Sequence, residues 1–404
     1  MINLKSEKGS ITVFVLASCM FFIAAVTCMQ MYMQSKQIAV DREYRQIKAN
    51  YEKDIENIDD IYNGLQKIQN ADVKFTNVNL NRYTKKITTK ILLNTEDMDI
   101  STLKYGWIYS EDELESYSQN DITEWTYVEN ANGSNEIQVN KSNIEDTGYY
   151  YLCFMVNDKE KWMKINDYIT DGLIIQYDAM NNTKTGHNSK ATVWEDYSGN
   201  DNDATLTDFE NTSESGWLDN GLICNGESNN FKTADVNLEE NSDLTVSITF
   251  TENKFVEYKT GTGNLSILRD NNAIWKSFTF HTYYSNYSTK MSDGTVYIGG
   301  NYASGGYSNR FTPSELSGYK TQEGKTDNVT YVYNGTTRKA TVYINSVEIA
   351  SKIYTVNPEA IQFFKSGTGN FKTYHNILIY NRALTDAEVK TNYDMDNLRY
   401  NIEE

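Results

Sequence analysis

Between His281 and Arg310 the chain sets His281, Tyr283, Tyr284, Tyr287, Tyr297, Tyr302 and Tyr307 among Asn286, Asp293, Asn301, Asn309, serines and glycines. That mixture suits sugar chemistry. An aromatic face covers the apolar face of a ring, while amides, carboxylates and backbone groups read its hydroxyls, giving the apolar but polar-punctuated lining that ligand sites share. Tyr283, Tyr284, Tyr287, Tyr297, Asn301, Tyr302 and Tyr307 are therefore the candidate ligand-binding residues. The same tyrosines also suit two strands carrying aromatic side chains on both faces, where β propensity alone accounts for them. Both readings stand at this point.

Catalytic patterns are not found. No E-x-D-x-x-E strand motif occurs in residues 169–404, and the chain has no G-x-S-x-G elbow and no H-E-x-x-H helix. His187, His281 and His375 stand alone, so each reads as a surface or strand residue. Cys224 with His281 or His375 could form a nucleophile pair, but no local signature accompanies it and a buried strand cysteine is commoner. No enzyme is expected. A net charge of -18 excludes nucleic acid as partner, because phosphate binding needs a clustered basic surface. Cys19 and Cys28 lie in an apolar run, leaving Cys153 and Cys224 far apart, so neither a disulfide framework nor a CxxC metal pattern is present.

The elements that must carry these groups are mostly strands. Two prolines, 31 tyrosines and abundant Asn, Ser, Thr and Gly favour short strands joined by polar turns. The N-terminus is the exception. Gly9 to Ser35 holds no charged residue, and Ile11 to Met33 is apolar over a length sufficient to cross a bilayer. Lys5 and Lys8 before it would hold residues 1–10 in the cytoplasm and send the rest outward. A membrane helix is thus expected over 11–34, followed by a helical stalk over 35–70, where Ile47, Tyr51, Ile55, Ile58, Tyr62 and Leu65 recur at spacings of three and four. Lys8-Gly9-Ser10 before the apolar run resembles a type IV prepilin processing site, cut between Gly9 and Ser10. Phe14 stands where pilins carry Glu, a departure from that pattern.

Residues 72–166 alternate in short strands, and Asp146-Thr-Gly-Tyr-Tyr-Tyr-Leu152 resembles the D-x-G-x-Y-x-C strand of immunoglobulin domains, with Tyr150 as the corner tyrosine and Trp107 as the core tryptophan. No cysteine completes an inter-sheet bridge. The resemblance implies an Ig-like β-sandwich acting as a spacer.

Residues 169–400 say most. Trp194-Glu-Asp-Tyr-Ser-Gly-Asn-Asp-Asn-Asp-Ala204 resembles the opening of LamG-like, concanavalin-type jelly rolls, and Ile377-Leu-Ile-Tyr-Asn-Arg-Ala-Leu-Thr-Asp-Ala-Glu-Val389 resembles their closing strand and short helix. Thr385 and Glu388 form a capping box at that helix. Leu244 to Phe250 reads as a core strand. Asn334-Gly335 between Tyr331-Val-Tyr333 and Ala340 to Ile344 marks a hairpin, and Asn345-Ser346 marks a second turn. The first and last strands are expected to pair.

The expected fold is therefore mainly β: a long N-terminal membrane-spanning α-helix, an Ig-like sandwich, then an antiparallel LamG-like jelly roll. The resemblance implies a glycan or surface protein as ligand, often with Ca2+ held by six to eight oxygens. Asp178, Asp196, Asn200, Asp201 and Asp203 are the candidate metal ligands, although exposed turns use the same residue types. Together these features point to an envelope-anchored, single-pass surface protein with extracellular C-terminal domains, an adhesin or pilin-like subunit that displays its jelly roll, with other pilin-like subunits as further partners. A structural minor pilin without a small ligand, and a polysaccharide-degrading accessory enzyme, are the alternatives.

Overall fold

The computed structural model describes residues 73–93, 103–128, 136–156, 159–225, 229–255, 265–270, 278–284, 292–300, 302–303, 306–307, 309–367 and 371–402. All of them belong to the compact unit Ala71–Glu404.

Seven strands come first: β1 (Val73–Asn81), β2 (Lys86–Leu93), β3 (Lys104–Ser110), β4 (Trp125–Tyr127), β5 (Glu136–Ser142), β6 (Tyr149–Val156) and β7 (Lys159–Ile165). They form two sheets, ordered β1-β2-β5 and β4-β3-β6-β7. The period of two decides their faces. In β5, Ile137 and Val139 are buried between exposed Glu136, Gln138 and Asn140. β6 is buried on both sides: Tyr150, Leu152 and Phe154 enter the main core of this half, while Cys153 and Met155 join Ile122 in a smaller one. The Tyr150 hydroxyl accepts the Glu145 N–H at 2.7 Å. Trp107 is only half-buried at the edge of that core, and Cys153 is a free thiol.

The larger part follows with β8 (Leu173–Asp178), β9 (Val193–Trp194), β10 (Ala204–Thr207), β11 (Gly216–Leu218), β12 (Gly221–Asn225), β13 (Asn230–Thr233), β14 (Leu244–Glu252), β15 (Leu265–Asp270), β16 (Thr279–Tyr284), β17 (Ser292–Ile298), β18 (Tyr302–Ala303), β19 (Gly306–Tyr307), β20 (Thr326–Asn334), β21 (Lys339–Ile344), β22 (Val347–Ile353), β23 (Phe364–Lys365), β24 (Phe371–Tyr380) and helix α1 (Asp386–Tyr400). One sheet runs β11-β12-β24-β14-β20-β21-β22 with β8 also on β24; the other runs β17-β16-β15-β23-β13-β10-β9. Trp194, Phe231, Phe250, Phe280, Tyr331 and Tyr374 lie in the core shared by the two. First and last strands pair as expected, with Tyr177 opposite Ile377.

The two hairpin turns behave differently. Asn345 and Ser346 both take positive φ, 50° and 65°, the two-residue geometry that matches strand twist. At Asn334-Gly335 the connection instead extends to Lys339. A Cβ on Gly335 would lie 1.9 Å from the Asn241 carbonyl oxygen, so this glycine serves a close approach of two loops.

Helix α1 covers the outer face of the first of these two sheets. Val389 and Met395 join Leu378 and Tyr380 of β24, and the same core continues to Val78, Ile91 and Leu152 of the seven-stranded part. That part therefore does not close a core of its own, as an Ig-like spacer would. The described part is mainly β as expected, but the architecture is corrected at its head: among the described residues the one α-helix is C-terminal, and no helix is long and apolar enough to cross a membrane. Helix α1 has 15 residues, about 22 Å at 1.5 Å per residue against a hydrocarbon layer of about 30 Å, and it carries Asp386, Glu388, Lys390, Asp394, Asp396 and Arg399. The segments 1–10, 11–34 and 35–70, with the Gly9/Ser10 processing site, lie outside the described residues.

Candidate functional site

A cavity of about 260 Å³ opens where the β1–β2 turn meets β8 and α1, and its lining includes Arg82, Tyr83, Asp167, Gln176, Tyr197 and Arg399. The turn is built by the sequence Asn81-Arg-Tyr-Thr-Lys85. Asn81 Oδ1 accepts the Thr84 N–H at 2.9 Å, and Lys85 takes a positive φ of 53° to close the loop. This geometry sends Asn81 and Tyr83 to the larger sandwich and Arg82 between them to the segment that precedes it. Asn81 Nδ2 donates to Asn181 Oδ1 at 2.8 Å, with both residues buried. Arg82 grips Asp167 through Nε (2.9 Å) and Nη2 (2.5 Å). Tyr83 stays 45% exposed and meets Tyr197 edge to face, with ring centroids 4.8 Å apart.

The opposite side is fixed by a buried polar network. Asp178, at the end of β8, accepts from Arg399 Nη2 at 2.5 Å, Asn181 Nδ2 at 2.6 Å, the Met180 N–H at 2.9 Å and the Tyr400 hydroxyl at 3.1 Å. Burial works against charge on Arg399, but Asp178 beside it keeps the guanidinium protonated, well above its ordinary value. Arg399 Nη1 also donates to the Tyr168 hydroxyl at 3.2 Å, which in turn donates to Asp396 Oδ1 at 2.7 Å. Asp396 further accepts from Thr249 (2.5 Å), Asn376 (2.8 Å) and Asn328 (3.1 Å), although burial lifts its carboxyl above the usual range. Burial likewise raises Asp167, with Arg82 pulling the other way, and pushes Tyr197 up. The Tyr197 hydroxyl donates to the Thr183 carbonyl at 2.5 Å, which locks its ring.

The chemistry this lining offers is recognition. Tyr83 and Tyr197 present aromatic surface, Leu80 and Met395 add apolar contact, and the Gln176 amide and Thr170 hydroxyl make no hydrogen bond to the described protein. At about 260 Å³ the cavity lies just below the roughly 300–1,000 Å³ of sites for drug-sized ligands, and would take a single ring.

The sequence-expected binding residues lie elsewhere. Tyr297, on β17, has its ring stacked on His281 at 5.3 Å and the Arg310 guanidinium 4.1 Å over it. Tyr283 and Tyr284 belong to β16, and Tyr302 pairs with Tyr307 across β18 and β19. Tyr287 and Asn301 lie outside the described residues. The candidate metal ligands do not converge. Asp178 is committed to Arg399. Asp196 accepts the N–H groups of Gln176 (2.9 Å), Ser198 (2.9 Å) and Asn202 (3.0 Å) and the Ser198 hydroxyl (2.7 Å), which fills its acceptor capacity. Asp203 takes the Asp196 N–H, Asn200 donates to the Leu173 carbonyl, and exposed Asp201 pairs with Lys184. No cluster able to hold a metal occurs among the described residues. Sequence reasoning missed Arg82, Tyr83, Tyr197 and Arg399; only Tyr197 sits inside a recognised motif.

No family model matches this chain, and no curated protein matches it. Among solved structures, Trypanosoma rangeli sialidase is similar at 16% identity and a TM-score of 0.40, over 63% of this chain and 44% of the sialidase. The binding domain of botulinum neurotoxin DC, solved in complex with SialylT, is similar at 11% identity and 0.37, over 57% and 52% of the two chains. Domain 4 of AbnA, a GH43 extracellular arabinanase from Geobacillus stearothermophilus, solved with arabinotriose, is similar at 16% identity and 0.35, over 55% and 98%. This chain thus spans about half the length of the sialidase. The likeness is in β architecture alone.

Proposed function

We propose that this chain is a carbohydrate-binding β-sandwich protein that holds one saccharide ring in the cavity between the β1–β2 turn, β8 and α1. The observation that carries the reading is the pairing of Tyr83 and Tyr197, two rings 4.8 Å apart on a small cavity that also offers the Gln176 amide and Thr170 hydroxyl. Aromatic surface covers the C–H face of a sugar, and a few fixed polar groups select its hydroxyls. The frame is set before the ligand arrives: Asn81–Asn181, Arg82–Asp167 and Asp178–Arg399 join three chain segments around it. Preorganisation of this kind reduces the ordering cost of binding.

Binding without turnover fits better than hydrolysis. A glycosidase needs one carboxyl free to give a proton and another free to attack or to activate water. Here Asp167 accepts from Arg82 on both oxygens, and Asp178 is enclosed by Arg399, Tyr400, Asn181 and a backbone N–H. The use of such a site is adhesion to a glycan-bearing surface.

A glycan array with the full chain tests this. Selective signal that disappears in Tyr83→Ala, with no reducing sugar released, is the expected result. Silence across the array, or signal untouched by Tyr83→Ala, would sink the assignment of this cavity.

A further inference from the structure

We infer that the cavity selects uncharged saccharides and discriminates against sugars carrying a carboxylate, an inference that rests on the saccharide reading above. The charged lining consists of Arg82 and Arg399 against Asp146, Asp167 and Asp178, two cations against three anions. Each carboxylate has its own cation: Asp167 has Arg82, Asp178 has Arg399, and Asp146 has Lys85 just outside the lining. Lys184, whose Nζ lies 5.8 Å over the Tyr83 ring, is likewise paired with Asp201, so among the described residues every cation around the cavity already has a carboxylate.

The donors of Arg82 are also used up. A guanidinium has five N–H groups. Arg82 makes five contacts, through Nε and Nη2 to Asp167, through Nη1 to the carbonyls of Glu145 (2.6 Å) and Thr147 (3.4 Å), and through Nη2 to the Gly148 carbonyl (2.9 Å). The bidentate fork that would clamp a sugar carboxylate is therefore already closed on Asp167. Arg399 donates once from Nη1 and once from Nη2, which leaves three of its N–H groups, buried Nε among them, without a partner among the described residues, but the charge behind them is matched by Asp178. The polar groups still open to a ligand are the neutral Gln176 amide and Thr170 hydroxyl and the remaining N–H groups of Arg399, whose charge Asp178 already balances. An acidic sugar would bring its charge beside three carboxylates on a chain of net charge -18.

Titration calorimetry on the full chain with single-ring pairs that differ in charge tests this: galactose against galacturonate, and glucose against glucuronate. The neutral member is expected to bind at least about tenfold more tightly in each pair. Asp167→Asn, which removes the acceptor charge from the Arg82 fork, is expected to narrow that gap by improving the acidic member. If the acidic members bind equally or better, and that binding disappears in Tyr83→Ala, the charge selection is overturned while the cavity remains a saccharide site. If neither member of either pair binds, the saccharide reading itself fails and the selection with it.

Discussion

Arg399 Nη2 lies 2.5 Å from Asp178 Oδ2 with both side chains at most 2% exposed, so the last turn of α1 is tied by a buried ion pair to the end of β8. A charge left alone in such a place is costly, about 3–5 kcal/mol when one partner is removed. Arg399→Met and Asp178→Asn should each lower unfolding stability by about that amount, and the double variant should cost clearly less than the sum of the two. Urea denaturation of the four proteins checks it. Additive losses would show that the pair does not act as a unit.

Tyr83 separates binding from folding. The residue is 45% exposed and its packing is the edge-to-face contact with Tyr197, so Tyr83→Ala should cost no more than about 1.5 kcal/mol of stability, whereas saccharide affinity should fall about tenfold or more. A variant that loses stability and binding in parallel would mean the ring supports the β1–β2 turn and nothing else.

His375 gives the chain an acid sensitivity. Its Nδ1 meets the Asn220 carbonyl at 2.6 Å and its Nε2 meets the Thr251 hydroxyl at 2.7 Å, an arrangement for the neutral ring with the proton on Nδ1. Burial pushes it down to about 4, from an ordinary value of 6.5. The unfolded chain therefore takes up the proton first as pH falls. Stability carried by the neutral ring is complete above 6.5 and is lost toward 4, with a slope of up to about 1.4 kcal/mol per pH unit from this group. His375→Gln should lower the slope across that interval by up to about 1.4 kcal/mol per pH unit, leaving the contribution of His281, which burial pushes down to about 3. An unchanged slope would place the acid sensitivity elsewhere.

Asp196 is a loop pin. With its oxygens filled by Gln176, Ser198 and Asn202, millimolar Ca2+ should leave Tm unchanged, and Asp196→Ala should cost about 2 kcal/mol or more by stranding three backbone N–H groups. A saturable rise of Tm with calcium would restore the metal reading of this loop.

Local patterns read well from sequence and long-range ones did not. Thr385 and Glu388 form the expected reciprocal capping box, Asn345-Ser346 makes the expected two-residue turn, and Trp194 enters the core from its motif. Each of those depends on neighbours a few residues away. The cavity draws on Arg82 and Tyr83, then Asp167, then Tyr197, then Arg399, and no period or spacing links those positions. The β1–β2 turn had no visible reason to face the larger sandwich until Asn81 met Asn181, exactly one hundred residues away in sequence. Asp178 and Asp196 stand out in the sequence as carboxylates, but their donors are Arg399, Asn181, Tyr400, Ser198 and backbone N–H groups, which a count of acidic residues does not reveal. The sequence offers Tyr297 as aromatic surface, but its ring is already engaged by His281 and Arg310.

The most direct test is a crystal structure of the full chain grown with the strongest saccharide from the array. The sugar ring should lie against Tyr83 and Tyr197 with its hydroxyls on Gln176 and Thr170. Density for the sugar in the 281–310 region, with the cavity beside Arg399 unchanged, would contradict the assignment.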